Sequence, residues 1–134
     1  MREVSVTGNS FPEAVLNAPI ELEKKKLWQV LCGDKEHWRC GLYSPVFSTR
    51  DEINELECHT CPELFVLIEG SITLLLYNKQ KGFYELDLEL NIPSLITDYH
   101  CGFCKDGKYS GKALVIERDI FKTIYKTLEE LHDA

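Results

Sequence analysis

Between positions 57 and 63 the chain reads Glu57-Cys58-His59-Thr60-Cys61-Pro62-Glu63, followed by the apolar run Leu64-Phe65-Val66-Leu67-Ile68 and then Glu69-Gly70. Two carboxylates, one imidazole and two thiols in seven residues can hold a metal for catalysis, hold a metal for structure, or do thiol chemistry. Glu57 and His59, two apart on a strand, point to the same face, and Cys58 points to the other. A second cluster lies downstream, where His100 precedes Cys101-Gly102-Phe103-Cys104. Cys58, Cys61, Cys101 and Cys104 therefore form a pair of C-x2-C spacings, the pattern of a closed, tetrahedral structural zinc site. A thioredoxin-type dithiol sits at a helix N-terminus, whereas Cys61 is followed by Pro62 and a strand. Haem attachment through C-x2-C-H is excluded, because Pro62 follows Cys61 and Lys105 follows Cys104.

The elements that must position these residues read as short strands. Candidates are Leu27 to Cys32, Trp38 to Phe47, Ile53 to His59, Leu64 to Glu69 and Ser71 to Asn78, with Gly70 as a bend between the last two. Phe83 to Leu90 alternates polar and apolar residues. Ser94 to Thr97, His100 to Cys104 and Ala113 to Glu117 complete the set. The first twenty-six residues read as irregular, with turn signals at Gly8-Asn9-Ser10, Pro12 and Pro19 and a solvated charge run from Glu23 to Lys26. In the tail Ile120, Phe121, Ile124, Tyr125, Leu128 and Leu131 recur at helical spacing, and Asp119 stands where it could cap a helix. The spacing predicts an amphipathic helix from about Asp119 to His132, its apolar stripe packed on the outside of the sheet or on a partner subunit. The organisation expected is thus an irregular segment 1–26, a β-barrel 27–117 and a C-terminal helix 118–134. Strands followed by one helix, without βαβ alternation, indicate a β-sandwich or small barrel.

At 134 residues, 44% of them hydrophobic and 28% charged, the chain is a single globular domain by length and composition. A formal net charge of −7 argues against nucleic acid or an anionic membrane as the main partner, since both reward basic surfaces. The N-terminus has no apolar signal region and no run is long enough to span a bilayer, so a cytoplasmic protein is expected. In that compartment the six cysteines read as metal ligands, buried small hydrophobes or reactive thiols before disulfides.

Glu63-x6-Gly70, with His59 upstream and the strand Ser71-Ile72-Thr73-Leu74-Leu75-Leu76 after the glycine, resembles the first motif of the cupin superfamily, G-x5-H-x-H-x(3,4)-E-x6-G. The resemblance covers roughly Trp28 to Glu117. It implies a double-stranded β-helix (jelly-roll) barrel with a divalent metal inside it. It also implies that His59 and Glu63 are ligands and that Glu57 stands where the first histidine would be. His100, the only histidine beyond Gly70 in reach of a second motif, becomes the remaining ligand. The Pro-x-Gly-x-x-His of that motif is absent. Carboxylate for imidazole at Glu57 suits zinc, iron, manganese or nickel. His59-x-Cys61-Pro62-Glu63 also resembles a shortened H-x-H-P-x-x-E, which leaves Cys61 as an alternative donor. The family's topology makes the strands of His59 and His100 neighbours. Cys58 and Cys101 then share the outer surface, and antiparallel running carries Cys104 away from Cys61.

Two readings follow. One is a cupin-like barrel binding a divalent metal through His59, Glu63, His100 and Glu57, acting on a small molecule as an oxygenase, isomerase or lyase. The other is a non-catalytic binding or structural barrel, either a degenerate cupin or one stapled by zinc at Cys58, Cys61, Cys101 and Cys104. Phe65 and Leu67 share Glu63's face and are expected to wall the pocket. Tyr84 and Tyr99 are candidates for its mouth, and Trp28 and Trp38 are assigned to the core. The resemblance also implies that a homodimer can form, with the terminal helix as one contributor.

Overall fold

The computed structural model describes residues 1–6 and 15–133; the turn signals at Gly8-Asn9-Ser10 and Pro12 lie outside the described residues. The strands are β1 (Arg2–Val6), β2 (Trp28–Asp34), β3 (Trp38–Tyr43), β4 (Glu55–His59), β5 (Glu63–Glu69) and β6 (Thr73–Asn78). They continue as β7 (Gly82–Asp87), β8 (Pro93–Ile96), β9 (Tyr99–Phe103), β10 (Lys112–Arg118) and β11 (Phe121–Thr127), before one short helix, α1 (Leu128–His132). One sheet runs β1-β11-β4-β9-β6-β7 and the other β2-β3-β10-β5-β8. Every ladder between these strands is antiparallel. The fold is an all-β, cupin-like double-stranded β-helix barrel with a short C-terminal helix.

Alternation along the strands builds two apolar layers. Phe65, Leu67, Leu74, Leu76, Ala113 and Val115 face inward and fill one end of the barrel. Leu56, Leu75 and Phe103 leave the opposite face of the six-stranded sheet and pack with Ile53 and Leu131. The sheet that carries His59 and His100 is thus covered on both sides. Gly70 turns β5 into β6 with φ +66, and a Cβ there would strike the Ser110 carbonyl. The turn demands glycine both for its backbone angle and for its space. None of the described helices is long and apolar enough to cross a membrane.

The tail differs from the helix expected over 118–134. Residues 121–127 form β11, paired with β1 on one side and β4 on the other, and only Leu128–His132 is helical. The segment Phe-Lys-Thr-Ile-Tyr-Lys-Thr is rich in β-branched and aromatic residues, which prefer a pleated surface. Two waiting strand edges reward that preference with backbone hydrogen bonds that an isolated helix would not gain. Asp119 does not cap a helix: it is fully buried and accepts from the Glu36 backbone N–H at 2.8 Å. The segment expected to be irregular likewise contains β1, which is needed to close β11's free side. The true helix cap is Thr127, which accepts from Glu130 N–H at 3.1 Å while Glu130 accepts from Thr127 N–H at 3.2 Å. Thr127→Ala will lower the unfolding free energy by about 1 kcal/mol, measured by urea denaturation.

Candidate metal centre

Register brings the sequence-expected residues together. Glu57 on β4 stands directly opposite His100 on β9. His59, two residues along β4, faces the same interior, and Glu63 enters it from the first position of β5 in the other sheet. Glu63 Oε1 lies 2.8 Å from His59 Nε2 and 3.0 Å from His100 Nε2. Glu57 Oε1 lies 3.5 Å from His59 Nε2 and 3.6 Å from His100 Nε2. Donor atoms about 2.1 Å from one ion stand roughly 3.0 Å apart at right angles and about 3.4 Å apart in a tetrahedron. The four side chains are therefore spaced like the edges of a coordination polyhedron.

The chemistry of the donor set fits a divalent ion as well. Glu63 Oε1 is buried and has no aligned hydrogen-bond donor, despite the two nearby nitrogens. The other nitrogen of each imidazole is already engaged. His100 Nδ1–H donates to the Asp98 carbonyl at 2.9 Å, which leaves Nε2 as the atom aimed at Glu63. His59 Nδ1 pairs with Thr123 Oγ1 at 2.7 Å and its Nε2 faces the carboxylates. Such partners fix ring orientation and tautomer at metal sites. Asp98 is itself held, since its Oδ2 accepts from Tyr84 Oη at 2.6 Å and from Asn78 Nδ2 at 2.8 Å.

The same contacts set the proton affinities of the metal-free site. Burial works against ionisation of Glu63, but the imidazoles of His100 and His59 outweigh it and hold the carboxyl down at about 2. Burial also works against a charged His59, yet Glu57 and Glu63 raise it to about 10. His100 moves up and Glu57 moves down for the same reason, again against burial. Without metal the cluster is two imidazolium–carboxylate pairs. A divalent ion would take the place of two protons.

Above this cluster opens a cavity of about 250 Å³. Its apolar wall includes Trp28, Tyr43, Phe65 and Phe121, with Tyr125 near Glu57. Phe65 lies edge-on to His100 with ring centroids 5.7 Å apart, and Phe121 lies edge-on to His59 at 5.0 Å. Trp28 comes so close to Gly41 that a Cβ there would enter its ring. The half-buried indole packs against the core cluster and also lines the cavity, so the core expectation for Trp28 covers only one of its faces. Trp38 is 45% exposed and is not a core residue. Tyr84 and Tyr99 do not line the cavity; Tyr84 serves Asp98, and Tyr99 packs on the outer layer.

Three polar residues of the cavity, Arg39, Glu117 and Thr123, were missed by sequence reasoning. Glu117, on the inward face of β10 with Ala113 and Val115, is buried and pairs with Arg39 opposite it on β3. Burial and the negative charge of Glu63 push its carboxyl up to about 7, against the pull of Arg39. An acid in phase with Ala113 and Val115 was the available signal. Thr123 was hidden by the helical reading of the tail.

The structure does not bring Cys58, Cys61, Cys101 and Cys104 together. Cys58 and Cys101 do leave the outer face, but among the described residues no metal-spaced group contains a thiol, and all six cysteines are free. Cys104 is buried at the other end of the barrel against the Pro45 carbonyl at 3.7 Å, while Cys61 lies near Glu117. The two C-x2-C pairs fail to meet because their strands run antiparallel, as the register Glu57↔His100 requires.

No known family profile matches the chain, and no curated protein is significantly similar to it in sequence. Solved structures with the same fold were found. Fe(II) HppE shares 13% identity at a TM-score of 0.53, over 79% of this chain and 62% of that one. Hydroxypropylphosphonic acid epoxidase from S. wedmorenis shares 13% at 0.54, over 84% and 64%. Co(II) HppE in complex with substrate shares 12% at 0.52, over 79% and 60%. The chain spans less than two thirds of the length of these proteins, and what it has in common with them is the cupin-type barrel.

Proposed function

We propose that the barrel holds one divalent metal through His59, Glu63 and His100, with Glu57 as fourth donor, and that the protein is a small-molecule metalloenzyme of the oxygenase, isomerase or lyase type. The observation that carries this reading is that the Nε2 atoms of His59 and His100 each lie 2.8 to 3.6 Å from both the Glu57 and the Glu63 carboxylate, at the floor of an aromatic cavity. Nitrogen and oxygen donors favour iron, manganese, zinc or nickel over calcium or copper(I). The Fe(II) of the structural neighbour HppE supports the first of these. When bound, the ion would act as a Lewis acid towards a substrate oxygen or activate water or dioxygen. The chain's own residues do the rest. Thr123 and the Asp98 carbonyl hold the imidazoles in place, and Phe65 and Phe121 shield them from water. Glu57, the most exposed of the four, faces the side from which a substrate arrives. The free thiols support a reducing compartment such as the cytoplasm.

The imidazolium–carboxylate pairs also support a competing reading, in which the cluster is a permanent ionic network in a non-catalytic binding barrel. Elemental analysis separates the two. The parent protein, reconstituted anaerobically with Fe(II), Mn(II) or Zn(II), will retain about one ion per chain, and His59→Ala/His100→Ala will retain almost none. Cys58→Ser/Cys104→Ser will retain as much as the parent. A parent protein that keeps no metal, or a histidine variant that keeps it, refutes the metal centre.

A further inference from the structure

Glu63, Glu117 and Asp119 each have a buried carboxylate oxygen without a partner, and among the described residues Glu117 is the one of the three that lines the cavity without being a proposed metal donor. Its Oε1 is taken: Arg39 reaches it with Nε at 3.2 Å and with Nη2 at 3.1 Å. Its Oε2 is buried and without a partner. The side chain is only 3% exposed, and both residues line the cavity. One carboxylate oxygen of Glu117 stands within 4.8 Å of the coordinating atoms of His59 and Glu63. Arg39 is fixed in turn, with its guanidinium 5.5 Å from the Trp28 ring and 5.2 Å from the Phe121 ring. The fork that grips Oε1 therefore cannot swing away, and Glu117 cannot rotate to exchange its oxygens without losing both bonds.

A buried, partnerless acceptor carries a desolvation cost. It is met when a donor arrives in the cavity. We infer that Glu117 is the ligand-recognition residue of this cavity, and that its Oε2 accepts a hydrogen bond from a hydroxyl on a small, uncharged ligand lying beside the metal. The inference rests in part on the metal-centre reading, since it places the ligand between Glu117 and that centre. Three features narrow the ligand. The cavity, at about 250 Å³, is below the roughly 300–1,000 Å³ of sites for drug-sized molecules. Its walls are aromatic, so the body of the ligand is apolar or a flat ring. Charge excludes an anion. A divalent ion and Arg39 balance the carboxylates of Glu57, Glu63 and Glu117, and Arg39 already has its counter-ion. A ligand carboxylate would sit beside Glu117 with nothing to neutralise it.

Phenol, anisole and benzoate test this, because they share one ring and differ in the group presented. Their dissociation constants are measured at pH 8, above the value of about 7 at which Glu117 releases its proton, so that Oε2 is an acceptor; titration calorimetry or ligand-observed NMR is run on the full chain, metal-free and after Mn(II) loading. Phenol is expected to bind more tightly than anisole by roughly tenfold, the worth of one hydrogen bond to a charged group, and more tightly than benzoate. Glu117→Gln probes the geometry. Arg39 will hold the amide oxygen, so an N–H₂ donor will replace the acceptor in the cavity. The preference for phenol over anisole should then vanish in a variant that circular dichroism shows to be folded. The inference is overturned if anisole or benzoate binds as tightly as phenol, if Glu117→Gln keeps the preference, or if none of the probes binds. The metal-free arm keeps the result apart from the metal reading. A protein that takes up no Mn(II) but prefers phenol through Glu117 loses its metal centre and keeps its recognition residue.

Discussion

Glu63→Ala will remove the metal and unfold the metal-free protein more readily than any other single change at the site. Metal affinity should fall by more than about 100-fold, since even outer partners of a ligand are worth 10–100-fold. The stability loss has a separate origin. Among the described residues Glu63 is the only carboxylate within 3.0 Å of both imidazoles, and His100 is buried at 3% exposure. Without Glu63 the two imidazoles keep Glu57, at 3.5 and 3.6 Å, and His59 keeps the more distant Glu117. Stripping one partner from a buried pair costs about 3–5 kcal/mol, read from urea unfolding in the presence of chelator. Glu63→Gln keeps the shape and one acceptor, so it should lose the metal but much less stability. Equal stability of Glu63→Ala and the parent would show that the cluster contributes nothing to folding.

The second large effect is the pH dependence of metal-free stability. Glu63 has its folded value lowered to about 2 from 4.5, so its contribution is present above about 4.5 and is lost as pH falls towards 2. Glu117 is shifted the other way, up to about 7, so the folded state holds a proton that the unfolded chain has released, and stability declines from about 4.5 to about 7 as pH rises. His59, raised to about 10 from 6.5, contributes fully below 6.5, and that contribution disappears as pH climbs through about 10. The three together place the maximum on the acid side, near pH 5. Urea midpoints of chelated protein across pH 3 to 10 check this. Metal should reverse the alkaline slope, because the ion displaces the imidazole protons and binds better as they leave. A metal-free midpoint that rises from pH 6 to pH 9 would contradict the assignment.

The parts of this protein that could be read beforehand are those where one physical signal dominates. His59 and Glu57 share a face because a strand has period two, and Glu63 opens β5 after the short turn Thr60-Cys61-Pro62. His100 needed the strand order as well as the spacing, because its partner Glu57 lies forty-odd residues away and only the β4–β9 register brings them opposite. Where two signals competed, the stronger in isolation misled. Ile120, Phe121, Ile124 and Leu128 fall at helical spacing, yet Thr123, Ile124, Tyr125 and Thr127 prefer a strand, and the open edges of β1 and β4 decided for the strand. That single reversal also concealed Thr123, and with it the orienting bond to His59. Arg39 and Glu117 were invisible for a different reason. A lone charge on a strand reads as a solvent-facing residue until register shows that its opposite neighbour is the counter-ion. The cysteine pairs were the converse case, a good spacing that the chain direction forbids.

Covering the sheet of His59 and His100 on both faces has a consequence in time. β4 and β9 lie in the interior of their sheet, with β11 and β6 as outer neighbours. Their far side is closed by Leu56, Leu75, Phe103 and the helix residue Leu131. Neither strand can fray from an edge, so separating His59 from His100 requires the barrel to open as a whole, and their amides belong to the slowest-exchanging set. An ion held between them must therefore leave by the cavity mouth past Glu57 and not through local breathing of the backbone. Its residence time is set by ligand exchange at one exposed carboxylate, while the lifetime of the cage around it is the lifetime of the fold.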